Sequence, residues 1–354
     1  MQAVILAGGE GTRLRPLTLA RPKPIVPLLN VPFLHYQIGF LSQHGITDIV
    51  LACSHRPDEV RKVMGDGSAL GVGLRYAVEE TPLGTGGGVR NAAHLAEERI
   101  VALNGDVLTD IDLTAMLRHH EARSAKVTIA LMAVADPSLY GDVEMEPDGR
   151  ILRFTEKPPP GRSATNTINA GVYVIERETL DLIPEGRVVS IEREFFPDLL
   201  ARGIAFFGYH AGAYWIDIGT PEQYRQAHRD LLDGAVSTRV APPGNRRGNL
   251  WVGEDAEIAA GAIVREPAVI GRGVSLAPGS RIEPFSVLGA RCVVEARGRV
   301  ESAVLWEDVR VGEGASLERC VIGPGCRIGA HAAIGSGVVL GGGAVVPDYS
   351  RLGA

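Results

Sequence analysis

Aliphatic residues recur at every sixth position over the C-terminal third of the chain: Val252, Ile258, Val264, Ile270, Leu276, Ile282, Leu288, Val294 and Val300. Nine successive hits on one period define a repeat. The register slips by one residue to Leu305, Val311 and Leu317, then slips again to Ile322, Ile328, Ile334, Leu340 and Val346. Four positions after each aliphatic residue stands a small one, such as Ala256, Ala262, Ala268, Ser280, Ser286, Cys292, Cys326, Ala332 or Ala344. An aliphatic column alternating with small residues fits the narrow interior of a parallel β-helix of hexapeptide repeats. The 44 glycines and the low aromatic share of 5% suit such a tightly turning architecture.

The N-terminal part reads differently. Short β-rich runs at residues 3–7, 48–52, 74–79 and 100–104 alternate with helical stretches, the pattern of a mostly parallel α/β sheet. Residues 32–44 and 57–64 each open on proline and stop at a glycine, Gly45 or Gly65, the usual asymmetry of helix ends. In such sheets ligands sit beyond the carboxyl ends of the strands, so the loops after Ala7, Glu79 and Asn104 should share one functional rim. Residues 234–249 (GAVSTRVAPPGNRRGN) lose periodicity and gather proline, glycine and arginine. The expected organisation is a catalytic domain over 1–233, a linker over 234–249 and a β-helix over 250–354.

A formal charge of -6 argues against nucleic acid or an anionic membrane as the main partner. No apolar run approaches the roughly 18 residues of a membrane span, and the first residues, MQAVILAGG, run straight into a strand with no charged leader. A cytoplasmic location is therefore expected. Cys53, Cys292, Cys320 and Cys326 form neither a CxxC pair nor a cluster with histidine, so buried thiols are expected. His119 and His120, flanked by Arg118, Glu121 and Arg123, are expected on a solvated helix face.

Behind the first strand comes Gly8-Gly9-Glu10-Gly11-Thr12-Arg13, then Leu14-Arg15-Pro16-Leu17-Thr18 and Pro22-Lys23-Pro24. Glycines let backbone N–H groups turn toward phosphate oxygens, and the cations neutralise their charge. Leu14 stands where the third glycine of a dinucleotide fingerprint would fall, and the GK[ST] ending of a P-loop is missing. The string GGEGTRLRPLT…PKP resembles the signature of sugar-phosphate nucleotidyltransferases, particularly the mannose-1-phosphate guanylyltransferase group. Further matches follow in order: Glu79 with Pro82-Leu83-Gly84-Thr85-Gly86, Asn104-Gly105-Asp106, Tyr140-Gly141, Phe154-Thr155-Glu156-Lys157-Pro158, Asn169-Ala170-Gly171, Ser190-Ile191-Glu192 with Phe196-Pro197, and Trp215-Ile216-Asp217-Ile218-Gly219.

The resemblance covers the whole chain and implies a Rossmann-like nucleotidyltransferase domain followed by a left-handed β-helix. It implies nucleotide contacts from Leu6, Ala7, Gly8, Gly9, Gly11, Thr12, Arg13, Lys23, Glu79, Pro82, Gly84, Thr85, Gly105 and Asp106. Arg13 and Lys23 would hold the departing β- and γ-phosphates, and Lys157 would neutralise the sugar phosphate and the α-phosphate. Glu156 and Asn169 would bond sugar hydroxyls, with Gly141 letting the sugar come close.

The chemistry itself, displacement at an α-phosphorus by an anionic sugar phosphate, needs positioning and charge compensation and no general base. One Mg²⁺ needs two hard acceptors, for which Asp106 and Asp217 are the candidates. A carboxylate at Glu79 suits the two adjacent donors of guanine better than the mixed edge of thymine or uracil. GTP with mannose 1-phosphate leads, ahead of dTTP or UTP with glucose 1-phosphate and of GTP with a heptose phosphate. Asp142, where many relatives carry an apolar residue, puts a charge near the expected sugar site. The glycines Gly84, Gly86, Gly87 and Gly88 either let the loop lie against the base or form a flexible turn.

Two other classes share features of this sequence. Hexapeptide β-helices also occur in acyltransferases, but His331 is the tail's one histidine and is expected at a surface corner. A non-catalytic subunit would have lost part of the set Arg13, Lys23, Asp106, Lys157 and Asp217, which is intact. The tail is expected to be structural, its end coil favouring a homo-oligomer.

Overall fold

The computed structural model describes residues 1–134, 136–137, 140–157, 159 and 165–353; Pro158 of the FTEKP string lies outside them. No helix among the described residues is long and apolar enough to cross a membrane. The chain forms two compact units, Met1–Gly9 with Gln37–Trp215, and Glu10–Tyr36 with Ile216–Ala354. The second unit is organised around one face of its β-helix.

In the first unit the described strands build a nine-stranded sheet: β1 (Gln2–Leu6), β2 (Asp48–Cys53), β3 (Gly73–Val78), β4 (Arg99–Asn104), β5 (Val127–Ala133), β6 (Gly141–Met145), β7 (Ile151–Glu156), β8 (Thr167–Glu176) and β9 (Phe206–His210). Its order is β7-β6-β8-β4-β1-β2-β3, with β5 joining β8 to β9. β4, β1, β2 and β3 run parallel, and β8 is antiparallel to β4, β5 and β6. The runs QAVIL, DIVLAC and RIVALN are apolar almost throughout because helices cover such strands on both faces. Val4, Val50, Ala102, Ile129, Tyr173 and Phe196 meet in the core. All four expected strands are present, and the helices at Phe33–Gln43 and Pro57–Met64 lie within two residues of their expected bounds. The strand order reverses between β1 and β4, which is where a doubly wound sheet opens a crevice.

His120 corrects an expectation. On the helix Leu113–Ala122 it is fully buried: Nδ1 lies 2.8 Å from Thr128 Oγ1 and Nε2 lies 3.1 Å from Glu176 Oε1. Burial holds its pKa below the ordinary value, against the pull of Glu176. His119 is half-buried, its ring 5.6 Å from that of Tyr209. The charged neighbours concealed that this side of the helix packs on β5 and β8.

In the second unit the repeats form a parallel β-helix with three ladders of short strands. Leu250 pairs with Ala268 and Ala268 with Ser286, a coil of 18 residues, whereas Val287 pairs with Val304 and Val304 with Val321, a coil of 17. The two register slips in the sequence are these two shortened coils, tightened at Ser302 and Arg319, both in the left-handed region. Ile270, Leu276, Ile282, Leu288, Val294 and Val300 fill the interior. Cys292 and Cys326 sit there as small residues, their thiols directed at the carbonyls of Trp306 and Gly341, each at 3.0 Å. All four cysteines are buried, and burial pushes Cys53, Cys292 and Cys320 up to about 12. Thiols held so far from the thiolate form are poor nucleophiles.

Two outer faces of the coil carry exposed arginines, Arg281, Arg299 and Arg351 on one and Arg310 and Arg327 on the other. The third carries Val269, Val287, Val304 and Val321, none more than 2% exposed. Segment 10–36 and the helix Pro221–Asp233 meet this face. Asn30 donates to the Leu288 carbonyl at 2.8 Å, Arg229 lies 4.2 Å over the Phe285 ring, and Tyr224 accepts from Trp306 Nε1 at 3.1 Å. Burying a valine is worth roughly 1.5 kcal/mol or more, so four of them fix the arrangement.

Within this packing the Leu29 N–H donates to Nδ1 of His228 at 3.3 Å. Complete burial pushes the imidazole pKa down from 6.5 to about 3. The folded unit keeps His228 neutral while the unfolded chain takes up a proton below pH 6.5. Its contribution to stability is therefore present above pH 6.5 and lost as pH falls toward 3, at about 1.4 kcal/mol per pH unit. Thermal melting between pH 7 and 4 should show a shallower acid slope for His228→Gln than for the wild type. Equal slopes would remove this role.

Candidate active site

The first unit carries one set of expected site residues on the carboxyl rim of β1, β3 and β4. Gly105 follows β4 and donates its N–H to the Leu6 carbonyl at 3.1 Å, and an added Cβ would lie 2.2 Å from that oxygen. Only glycine lets the two strand ends come this close, and the half-buried Asp106 follows directly. The loop behind β1 is seated by Ser54, whose hydroxyl donates to the Gly8 carbonyl at 2.7 Å; Ala7 is buried and Gly9 exposed.

Glu79 follows β3 and is 8% exposed. Its Oε2 accepts from the Leu83 N–H at 2.9 Å, while a Cβ added at Gly88 would meet Oε1 at 2.7 Å and Leu6 at 3.3 Å. Burial raises its pKa, partly offset by the Leu83 N–H. The glycine run is no flexible turn: Gly84–Ala92 is a helix, and Gly86 and Gly87 donate to the Val189 carbonyl at 2.8 and 3.2 Å. These glycines let the helix lie against the irregular segment around Val189. Pro82 is exposed in the preceding loop. Thr85 is already engaged, donating to Glu192 Oε2 at 2.9 Å and accepting from the Ile191 N–H at 2.8 Å.

Further along the same unit, Glu156 is half-buried and Lys157 Nζ stands 3.8 Å from its Oε1. Desolvation raises the Glu156 pKa, Glu192 adds to the rise, and Lys157 and Arg193 oppose it. Lys157 has φ 48°, in the left-handed region. Asn169 donates to the Tyr173 hydroxyl at 2.9 Å and accepts from the Gly171 N–H at 2.9 Å, which fixes its amide plane. A Cβ at Gly141 would meet the Phe154 ring at 2.6 Å and Glu156 Oε2 at 3.0 Å, so packing alone demands glycine there. Asp142 is buried and accepts from Thr165 Oγ1 at 2.6 Å.

The second unit carries Gly11, Thr12, Arg13, Lys23 and Asp217. Gly11 has φ 65°, and a Cβ would press on Thr18 at 2.9 Å and on Lys23 at 3.0 Å. Thr18 Oγ1 returns to the Gly11 carbonyl at 2.9 Å, closing the turn that holds the exposed Thr12 and Arg13. Lys23, between two prolines at the start of a 3-10 turn, is 8% exposed. Arg13 Nη2 lies 3.8 Å from Asp217 Oδ2, and Asp217 Oδ1 accepts from Gln223 Nε2. Gln223 also completes a capping box with Thr220 at the start of the helix Pro221–Asp233. Gln223 was legible as the fourth residue of Thr220-Pro221-Glu222-Gln223, a helix-start signal that carries no hint of the aspartate it holds.

The chain matches the nucleotidyl transferase family over residues 2–234 and the LbH domain of the EIF2B epsilon subunit over 247–352. It is 41% identical over 323 residues to a mannose-1-phosphate guanylyltransferase of Mycobacterium tuberculosis, covering 90% of this chain and 83% of that protein. It is 32% identical to a UTP–glucose-1-phosphate uridylyltransferase of Synechocystis over 92% of this chain and 88% of that protein. The structure of HddC from Yersinia pseudotuberculosis complexed with GMP-PN matches with a TM-score of 0.57 at 29% identity, over 65% of this chain and 99% of that one. The chain belongs to the nucleotidyl transferase family. Its tail is a left-handed β-helix.

Gln223→Met keeps the length of the side chain and the bond from the backbone N–H of residue 223 to Thr220 Oγ1, but gives up the reciprocal half of the capping box and releases Asp217. Pyrophosphate release should fall at least about tenfold, while stability measured by thermal melting drops by no more than the roughly 1 kcal/mol of a weakened cap. Unchanged turnover would mean that Asp217 needs no such support.

Proposed function

We propose that this protein transfers the guanylyl group of GTP to mannose 1-phosphate, making GDP-mannose and pyrophosphate. What carries the reading is the rim of β1, β3 and β4, where Gly88 lies against the buried acceptor Glu79 and against Leu6, and Leu6 in turn lies against Gly105, the residue before Asp106. The 41% identity to a guanylyltransferase across both regions supports it.

An oxygen of the sugar phosphate attacks the α-phosphorus, and the bond from that phosphorus to the β-phosphate bridging oxygen breaks, releasing pyrophosphate. Arg13 and the nearly buried Lys23 hold the departing phosphates, and Lys157 neutralises the attacking one. Holding Lys157 in the left-handed region costs on the order of 1 kcal/mol, a strain of the kind retained where a side chain must be aimed. Glu156 and Asn169 serve the sugar hydroxyls, Asn169 with an amide already oriented by Tyr173 and Gly171. No proton needs to be removed.

Asp106 and Asp217 are the metal ligands of this reading. As hard oxygen donors they would suit Mg²⁺. Bound there, the cation would offset charge on the transferring phosphate. The protein works in the cytoplasm, and its β-helix favours self-association through end coils that expose Ile258 and Ile263 at one end and Val345 and Tyr349 at the other.

Pyrophosphate release measured over a grid of triphosphates and sugar 1-phosphates with Mg²⁺ should single out GTP with mannose 1-phosphate. Asp106→Asn and Asp217→Asn should each lower kcat at least about a hundredfold. Another dominant pair would replace the assignment, and turnover surviving both substitutions would remove the metal site. Glu79→Gln should shift kcat/KM from GTP toward dTTP or UTP by about tenfold or more. An unchanged ratio would leave base choice to other residues.

A further inference from the structure

The outer corner of one β-helix ladder is a column of glycines, Gly253, Gly271, Gly289, Gly323 and Gly341, each following an interior aliphatic residue. One coil breaks the column. There Trp306 follows Leu305, and Glu307 follows Trp306. Trp306 is 1% exposed and donates from Nε1 to the Tyr224 hydroxyl at 3.1 Å; Tyr224 in turn donates to the Pro27 carbonyl. The Arg21 guanidinium lies 5.2 Å over the Trp306 ring and bonds Glu307 Oε1 at 2.5 Å, with both charged side chains less than a third exposed.

Arg21 and Pro27 bracket the Pro22-Lys23-Pro24 turn. Both flanks of Lys23 are therefore tied to one rung of the β-helix, one by an ion pair stacked on an indole and the other by a hydrogen-bond relay. A coil that needed only to stack would keep glycine at this corner, as five others do. We infer that Trp306 and Glu307, with Arg21 and Tyr224, form a seat that positions Lys23 for the triphosphate, so that the β-helix belongs to the catalytic machinery through its fourth rung. These are positioning residues, and none of them touches substrate. The inference rests on the reading of Lys23 as a holder of the departing phosphates.

The test uses the full-length protein. Trp306→Gly restores the residue found at the equivalent corner of the other coils, Glu307→Gln removes the ion pair, and the exchange Arg21→Glu with Glu307→Arg reverses it. Binding of inorganic tripolyphosphate with Mg²⁺, measured by calorimetry, should weaken about tenfold or more in Trp306→Gly and Glu307→Gln. The charge exchange should recover part of the affinity lost in Arg21→Glu alone. In turnover, KM for the triphosphate should rise while KM for the sugar 1-phosphate stays within about twofold, with the β-sheet circular dichroism retained. A merely structural seat would move both constants together or only the melting temperature, and either result overturns the proposal. So does tripolyphosphate binding that is unaltered in the variants or missing from the wild type. If the wild type binds tripolyphosphate through this seat but turns over no GTP with mannose 1-phosphate, the assigned reaction fails while the seat stands.

Discussion

Everything in the second unit depends on one apolar contact, the row Val269, Val287, Val304 and Val321 closed over by segment 10–36 and the helix Pro221–Asp233. A β-helix otherwise has no reason to hold an unrelated loop. With arginines on its other two faces, it has one surface that must be covered. Covering it brings Asp217, Gln223, Arg13 and Lys23 into one compact body, since the helix that buries the valines also presents Gln223 to Asp217. Hydrophobic burial thus sets the geometry of a polar cluster whose own bonds, such as the 3.8 Å approach of Arg13 to Asp217, are too exposed on the arginine side to hold it alone.

The first unit follows a different logic. Its parallel strands end at a switch point, and residues too small to fill space let backbone and carboxylate approach each other. Gly105 against Leu6 and Gly88 against Glu79 are two such contacts on the rim. Glu79 is costly to bury, and the Leu83 N–H compensates only in part, so the site holds an acceptor with unspent capacity.

The periodic features were the most legible. The six-residue period gave the β-helix down to its two shortened coils, because interior side chains obey a strict steric rule. The α/β strands were equally plain, and Glu79, Gly105 and Asp106 follow strand ends, whereas Arg13, Lys23 and Thr85 lie in 3-10 turns and a helix. The packing of segment 10–36 with the β-helix was not legible, because the outward valines recur only every 17 or 18 residues and look like ordinary hexapeptide positions until the coil length is known. His120 departs from its expected exposure for a related reason, as burial of one helical position depends on what the helix meets. Thr85 and Gly141 matched motifs, yet Glu192 and Phe154 account for them through packing and hydrogen bonding within the protein.

The glycine column interrupted by Trp306 has a consequence for how such a chain can change in length. Coils are modular, and adding one beyond Gly341 would leave every rung beneath it undisturbed. Inserting one ahead of Leu305 would carry the indole about 4.8 Å along the solenoid, away from Arg21 and Tyr224. Turns beyond the Gly341 corner, which still lies against Pro16, can therefore be added without disturbing this packing, whereas the number of turns between residue 250 and Trp306 is locked, a molecular ruler whose reading is the position of a single lysine.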